Sequence, residues 1–189
     1  MSEIKSKPPA KKKGLIILIV AVVVIGVIAI ASSGSDEPSL VNNGTSETST
    51  NGGDETDNRT EFVIGDVIAW EGQEITVVSV ERDWQSGNQF ITPSAGNEFV
   101  NVNVRIENKS NRNISFNPFD WRIQNSNGAI EGHSWAASAD DSLGSGELVP
   151  GGNRTGSIMF EVPQGDDGLI LHYSPGFWTN RTVQIHLRD

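Results

Sequence analysis

The chain has 189 residues, enough for one domain with appendages, and it carries a net charge of −10 and no cysteine. The missing cysteines exclude a disulfide framework, a thiolate metal site, a cysteine nucleophile and a lipid-modified cysteine. Residues 61–189 hold 17 acidic side chains against eight Lys and Arg, and such an acidic surface without a basic stripe excludes nucleic-acid binding.

A basic segment followed by an apolar one forms the N-terminus. Residues 1–14 carry five lysines against one glutamate, and Leu15 to Ala31 contain no charged or polar side chain. Seventeen helical residues span about 26 Å, close to the thickness of a bilayer core. We therefore predict a cytoplasmic segment over 1–14 and a transmembrane helix, a signal anchor, over 15–33, which leaves the remainder outside the cell. The A-x-A pattern that ends at Ala31 also fits a cleavage site, so a secreted form stays open.

Residues 34–60 consist mainly of Ser, Thr, Gly, Asn and acidic side chains. This composition buries too little apolar surface to offset the entropy of ordering. We predict a disordered, flexible acidic linker between the membrane span and a folded domain over 61–189.

From Glu61 onward, apolar and polar residues alternate in short runs that turn residues interrupt. These runs predict short strands, and strands that are apolar on one side suit two stacked antiparallel sheets, an all-β sandwich. The predicted strands are DVIAW, EITVVSVERD, FVNVNVRIEN, NISF, FDWRIQN, AIEG, RTGSIMFEV, GLILHYS and TVQIHL.

The longest alternating run predicts which side of its strand faces the core. Val100, Val102, Val104 and Ile106 form the apolar side, so we expect them in the core. The opposite side should be solvated, and it offers a polar face for ligand contact, with Asn101, Asn103, Arg105 and Arg122 as candidates.

Three longer blocks resemble an exported domain of unknown function found in bacterial and archaeal surface proteins. The blocks are IGDVIAWEGQEITVVSVERD, PSAGNEFVNVNVRIENKSNRNISFNPFDWRIQNSNG and LGSGELVPGGNRTGSIMFEVPQGDDGLILHYSP. That family is similar to the mycobacterial immunoprotective extracellular antigen, so the resemblance implies an immunoglobulin-like antiparallel β-sandwich over about 62–187. It also implies surface exposure behind a lipoprotein signal or a single membrane helix, and this chain resembles the second type, because it lacks the cysteine that would carry the lipid. The resemblance carries no activity and no catalytic residues.

Titratable side chains offer no clear site. His172 and His186 alternate with core residues, so both should face solvent, and no third ligand is spaced to complete a metal site with them. The acidic loops at 140–147 and 166–167 lack the spacing of a calcium loop; we expect them to be solvated, with a weak calcium site as the alternative. His133 beside Ser134 is not a triad, and no nucleophile elbow or phosphate loop occurs. We expect no enzyme, no catalytic residue, no metal and no cofactor.

Tryptophans divide into two groups by position. Trp70 and Trp121 occupy apolar strand positions and should lie in the core. Trp84, Trp135 and Trp178 stand in loops or at strand ends, where large rings either contact a ligand or plug the ends of the sandwich. They are the aromatic candidates for ligand contact.

The glycosylation pattern N-x-[ST] occurs six times, against about 2.5 expected by chance from 16 Asn and 30 Ser and Thr. All six lie in the linker or at predicted turns, although crowding of these residue types into turns raises the chance rate. The candidate acceptors are Asn43, Asn58, Asn108, Asn113, Asn153 and Asn180.

These observations favour a single-pass membrane protein that displays a binding or scaffolding module of the cell envelope, without catalysis. Its partner would be an envelope protein or polysaccharide, contacted through the polar face or the loop aromatics. A carbohydrate-binding accessory domain that uses Trp84, Trp135 or Trp178 is the alternative hypothesis, and an envelope component without a specific ligand is the third. The sequence leaves the oligomeric state open.

Overall fold

The computed structural model describes residues 37–41, 61–175 and 182–188. The regular structure of these residues consists of twelve β-strands and one 3-10 turn at Pro118–Asp120. The first sheet contains, in spatial order, β1 (Ser39–Leu40), β3 (Ile68–Trp70), β4 (Gln73–Glu81), β5 (Asn97–Asn108) and β10 (Asn153–Pro163). The second contains β2 (Phe62–Val63), β12 (Val183–His186), β11 (Ile170–Tyr173), β7 (Trp121–Gln124) and β8 (Ile130–Gly132). A small third sheet pairs β6 (Ile114–Phe116) with β9 (Gly146–Leu148).

The two large sheets enclose one hydrophobic core, which confirms the predicted sandwich. Val100, Val102 and Val104 are fully buried, as the alternation of β5 predicts. Trp70 and Trp121 are also buried, and their ring centroids lie 6.3 and 4.3 Å from that of Tyr173. The Tyr173 hydroxyl of the second sheet donates a 2.9 Å hydrogen bond to the Gln73 side chain of the first.

Pairing in the sandwich is antiparallel with one exception among the described strands, since β2 runs parallel to β12. A parallel neighbour requires a long crossover, and nearly the whole domain intervenes between Phe62 and Ile185, which lie side by side. The prediction of purely antiparallel sheets is therefore wrong at this edge. All the strands predicted from the sequence are present. The strands β1, β2 and β9 are not among the predicted ones.

The strand β1 lies within the segment predicted to be a flexible linker. Leu40 pairs with Ile68, the Val41 N–H donates a 2.8 Å hydrogen bond to the Val67 carbonyl, and the Leu40 side chain packs against the core. The linker prediction is therefore wrong for residues 39–41, because two apolar side chains and a free strand edge suffice to dock them. The docked segment covers part of the β3 edge, which otherwise would present unpaired backbone groups.

Replacing Leu40 by aspartate is expected to lower the free energy of unfolding by about 1–2 kcal/mol, because a partly buried apolar side chain becomes charged. Urea unfolding of the full-length chain measures this loss. Leu40→Met keeps the apolar volume and serves as the control, with a smaller change. Equal unfolding free energies for Leu40→Asp and the parent would show that β1 contributes nothing to stability.

The predicted membrane segments lie outside the described residues. Residues 1–14, 15–33 and most of 34–60 belong to that part of the chain, so these boundaries stay predictions. In the described part of the chain, no helix has the length and apolar character that a bilayer crossing demands.

One end of the sandwich is closed by a carboxylate network that joins the loop after β4 to the loop after β10. The buried Glu98 side chain forms an ion pair with Arg82 and accepts the N–H groups of Asp83 and Gly165 at 2.8 and 3.0 Å. Arg82 also donates a 2.8 Å hydrogen bond to the Asp166 carbonyl. The Glu98 carboxylate can stay charged although it is buried, because both of its oxygens accept hydrogen bonds.

Candidate binding site: an exposed aromatic patch

Three aromatic rings meet on the surface where the chain passes from the edge of the second sheet to the edge of the first. Phe119 belongs to the 3-10 turn, which Asn117 caps by accepting the Phe119 N–H at 3.0 Å. His133 and Trp135 follow β8, and the intervening Ser134 donates its N–H to the Met159 carbonyl of β10 at 2.6 Å. A side-chain cap therefore fixes the segment that carries Phe119, and a backbone hydrogen bond fixes the segment that carries His133 and Trp135.

We call Phe119, His133 and Trp135 the aromatic patch. Ring centroids lie 4.8 Å apart for Phe119 and His133, 4.7 Å for His133 and Trp135, and 5.2 Å for Phe119 and Trp135. Phe119 is 58% exposed and Trp135 is 78% exposed. Two large apolar rings that remain this exposed, yet pack against each other, form a surface suited to a partner.

The patch is a platform rather than a cavity. A shallow depression that is open to solvent lies elsewhere on the described surface, around Ile123, Glu131 and Val162. Stacking on the exposed rings of the patch suits a flat or extended ligand.

Burial lowers the pKa of His133 below its ordinary value. The same is true of His172, where burial is the main cause and the positive charge of Arg122 adds to it. His172 is buried and lies 2.9 Å from the Gln124 side-chain oxygen, so the prediction that it is a solvated surface histidine is wrong. Its cross-strand neighbours are Arg122 on β7 and Gln184 on β12.

Both lowered histidine pKa values predict destabilisation by mild acid. The folded state prefers the neutral rings, so their contribution is present above the unfolded pKa of about 6.5 and is lost as the pH falls below it. We expect the free energy of unfolding to decrease between pH 7.5 and 5.5, by at most about 1.4 kcal/mol per pH unit for each histidine. Urea unfolding across this range measures the slope, and the variant His133→Gln/His172→Gln should lose it. An unchanged slope in that variant would contradict the assignment.

Trp84, by contrast, closes a small apolar cluster on the outer side of the first sheet. Its ring packs edge-on against the buried Phe99, with centroids 6.4 Å apart, beside Met159 and Ala137. This geometry fits the plug interpretation, and no ring contact in the described structure joins Trp84 to the aromatic patch. Trp178 lies outside the described residues.

The polar face predicted on β5 is not a free surface. The Asn103 side-chain amide donates to Asp141 at 3.1 Å and to Ser157 at 3.2 Å, because the loop before β9 runs along the β10 edge. Asn101 is half-buried, and Arg105 forms a 3.0 Å ion pair with Glu107. The prediction of a solvated outer side is therefore wrong for the two asparagines.

Arg122 does not belong to this face at all, since it lies on β7 of the other sheet. The sequence prediction grouped it with β5 because alternation shows which side chains share a strand side, but not which strands share a sheet.

Carboxylates of the two predicted acidic loops, 140–147 and 166–167, have structural roles in the fold. Asp166 accepts the N–H groups of Ser126 and Gly168 at 2.9 and 2.8 Å, and Glu147 lies on β9. His186 lies 3.9 Å from Glu61, at the limit of an ion pair. Within residues 37–41, 61–175 and 182–188, no three His, Asp or Glu side chains are placed to hold a metal ion.

The candidate glycosylation acceptors differ in accessibility. Asn108 is buried and its side chain binds backbone carbonyls, so the prediction that it is an accessible acceptor is wrong for the folded domain. Asn113 and Asn153 are exposed. The other three candidates, Asn43, Asn58 and Asn180, lie outside the described residues.

Sequence reasoning singled out Trp135 but missed its two partners in the patch. A signal for the turn that carries Phe119 exists in Asn117-Pro118, because Asn caps the start of such a turn and Pro suits its first position. No sequence signal brings Phe119 next to Trp135, because that contact depends on the pairing of β7 with β8.

Comparison with known proteins shows to which family the domain belongs. The family model described as "Domain of unknown function (DUF4352)" matches residues 62–183. The chain belongs to the DUF4352 family. This match confirms the predicted resemblance to an exported domain family of unknown function.

Three solved structures resemble the DUF4352 chain. The yjhA protein from Bacillus subtilis is 20% identical, with a TM-score of 0.50 over 67% of this chain and 98% of that one. The secreted protein MPT63 from Mycobacterium tuberculosis is 14% identical, with a TM-score of 0.46 over 65% and 84%. An uncharacterized β-sandwich protein from Clostridium difficile is 16% identical, with a TM-score of 0.45 over 73% and 100%. No curated protein matches the DUF4352 chain. At this level of identity, the yjhA likeness supports the fold alone.

Proposed function

We propose that this DUF4352 protein is a non-catalytic binding module of the cell envelope, anchored by one membrane helix with its immunoglobulin-like domain outside the cell. The lysines before the apolar run of residues 15–31 and the acids after it support this orientation. An acidic domain is also kept away from anionic lipid surfaces and nucleic acids.

The aromatic patch is the observation that carries the binding function. Exposed Trp and Phe side chains on a rigid scaffold lose little entropy on binding, and such rings dominate the energetics of interfaces. The hydrogen bonds from the Phe119 N–H to the Asn117 side chain and from the Ser134 N–H to the Met159 carbonyl supply this rigidity before the partner arrives. We propose an envelope protein as the partner.

A carbohydrate is the second candidate ligand, and the Trp135 ring favours it. Its large exposed face suits stacking against a sugar ring, and no charged side chain belongs to the patch. A neutral polysaccharide would therefore meet neither charge repulsion nor a narrow opening.

A retention experiment separates the two ligand classes. The full-length chain, purified in detergent and immobilised, is exposed to cell-wall polysaccharide and to solubilised membrane proteins of the same envelope. Retention of a discrete membrane protein supports the first proposal, and retention of polysaccharide supports the second, provided that Phe119→Ala/Trp135→Ala abolishes it. Binding of neither fraction would contradict a binding function for the patch.

A further inference from the structure

We propose that Asn113 and Asn153 are N-glycan acceptors of the folded domain and that Asn108, which carries the same tripeptide pattern, is not. The three patterns are NIS at 113–115, NRT at 153–155 and NKS at 108–110. The sequence treats them as equivalent, so their surroundings in the fold decide which can carry a sugar. The inference rests on the outward location in the proposed function.

Asn153 and Asn113 both offer accessible side-chain amides. Asn153 is the first residue of β10 and is exposed. Asn113 immediately precedes β6, is exposed, and donates a 3.3 Å hydrogen bond to Glu147. A glycosylated amide nitrogen keeps one N–H, so this contact can persist after modification.

Asn108 is a structural residue instead. It is 0% exposed, and its Nδ2 donates to the carbonyls of Arg112 and Leu148 at 2.7 and 2.9 Å. Its Oδ1 accepts the Ser110 N–H and hydroxyl at 2.9 and 2.7 Å. A sugar on Nδ2 would take the place of one donated hydrogen and break one of these two hydrogen bonds. It would also need space that the core does not provide, so a chain modified there could not reach this fold.

The transfer itself needs a donor, for which the chemical class is an oligosaccharide linked through phosphate to a polyprenyl lipid in the membrane. The Asn side-chain nitrogen forms a bond to the anomeric carbon, and the bond from that carbon to the phosphate oxygen breaks. The lipid phosphate leaves with the bonding electrons, and a base of the membrane transferase takes one amide proton. No change of oxidation state is involved.

A glycan at Asn153 would also screen one surface of the domain. Asn153 pairs with Glu107 across β5 and β10, so both side chains stand on the outer side of the first sheet. Arg105 and Lys109 form their ion pairs with Glu107 at this same place. The sugar would cover this charged end of the sheet, while none of the aromatic patch residues belongs to a glycosylation pattern.

Glycopeptide mass spectrometry of the full-length protein, purified from membranes of its natural host, tests the proposal. We expect glycan mass additions on the peptides of Asn113 and Asn153 and an unmodified Asn108. Unmodified peptides at both exposed sites, or a glycan on Asn108, would overturn it. Because Thr155 is exposed, Thr155→Ala should remove the Asn153 glycan without disturbing the fold, whereas Thr155→Ser should retain it.

Protease treatment of intact cells separates this proposal from the one on location. A domain that is digested but carries no glycan would contradict only the acceptor assignment. A domain protected from protease would contradict the outward location on which both proposals rest.

Discussion

Replacing Glu98 by glutamine is expected to lower the free energy of unfolding by about 2–4 kcal/mol, a large share of the stability of a domain of this size. The carboxylate is buried and serves Arg82, Asp83 and Gly165 at once. Glutamine is nearly isosteric, but it places an N–H₂ group where one of these donors needs an acceptor. It also leaves the Arg82 guanidinium without its counter-charge. Urea unfolding of the full-length chain measures the loss.

The pH dependence of Glu98 provides an independent check. Burial alone would raise its pKa, but the hydrogen bond from Arg82 and those from Gly165 and Asp83 hold the pKa below its ordinary value. The contribution is therefore present above the unfolded pKa of about 4.3 and is lost as the pH falls through the folded value. The difference in unfolding free energy between Glu98→Gln and the parent should therefore become smaller in strong acid. There the parent carboxyl is protonated, so both side chains are uncharged.

Glu107→Gln is the matched control. Glu107 also pairs with two cations, Arg105 and Lys109, at 3.0 and 2.8 Å, but this cluster lies on the surface. Exposed ion pairs contribute about 0–1 kcal/mol, so the control should lose far less than Glu98→Gln. Equal losses in the two variants would show that burial of the carboxylate is not what gives the Glu98 network its effect.

Much of the sandwich could be predicted because a half-buried strand displays its burial in its alternation. The valines of β5 are core residues as expected, and Ile158, Phe160 and Val162, which alternate along β10, are buried with them. The strands β1 and β2 have only two residues each, too few to show an alternation, and β9, Gly-Glu-Leu, contains a single apolar side chain. Their formation depends on neighbouring strand edges that are remote in sequence.

The candidate site was less predictable, because exposure of a loop side chain depends on what folds over it. Trp84 and Trp135 look alike in sequence, yet one covers Phe99 and the other is open to solvent. Asn103 looked solvated because nothing in β5 shows that the loop containing Asp141 returns to it. Asn108 likewise has the sequence of an acceptor site and the contacts of a core residue.

Removing both large rings of the patch, as Phe119→Ala/Trp135→Ala, is expected to weaken partner binding at least tenfold, about 1.4 kcal/mol or more. Truncation removes the apolar area that the partner would cover, together with the ring contacts that orient it. Because both side chains are largely exposed, the fold should tolerate the change. Stability of the variant, measured by urea unfolding, should stay within about 1 kcal/mol of the parent.

The most direct measurement is a titration of the retained envelope fraction against three full-length proteins: the parent, Phe119→Ala/Trp135→Ala and Phe90→Ala. Phe90 is 84% exposed and lies outside the patch, so it controls for the loss of an exposed aromatic ring in general. We predict that the double variant loses binding at least tenfold while Phe90→Ala binds like the parent. Undiminished binding by the double variant, or an equal loss in Phe90→Ala, would contradict the aromatic patch as the binding site.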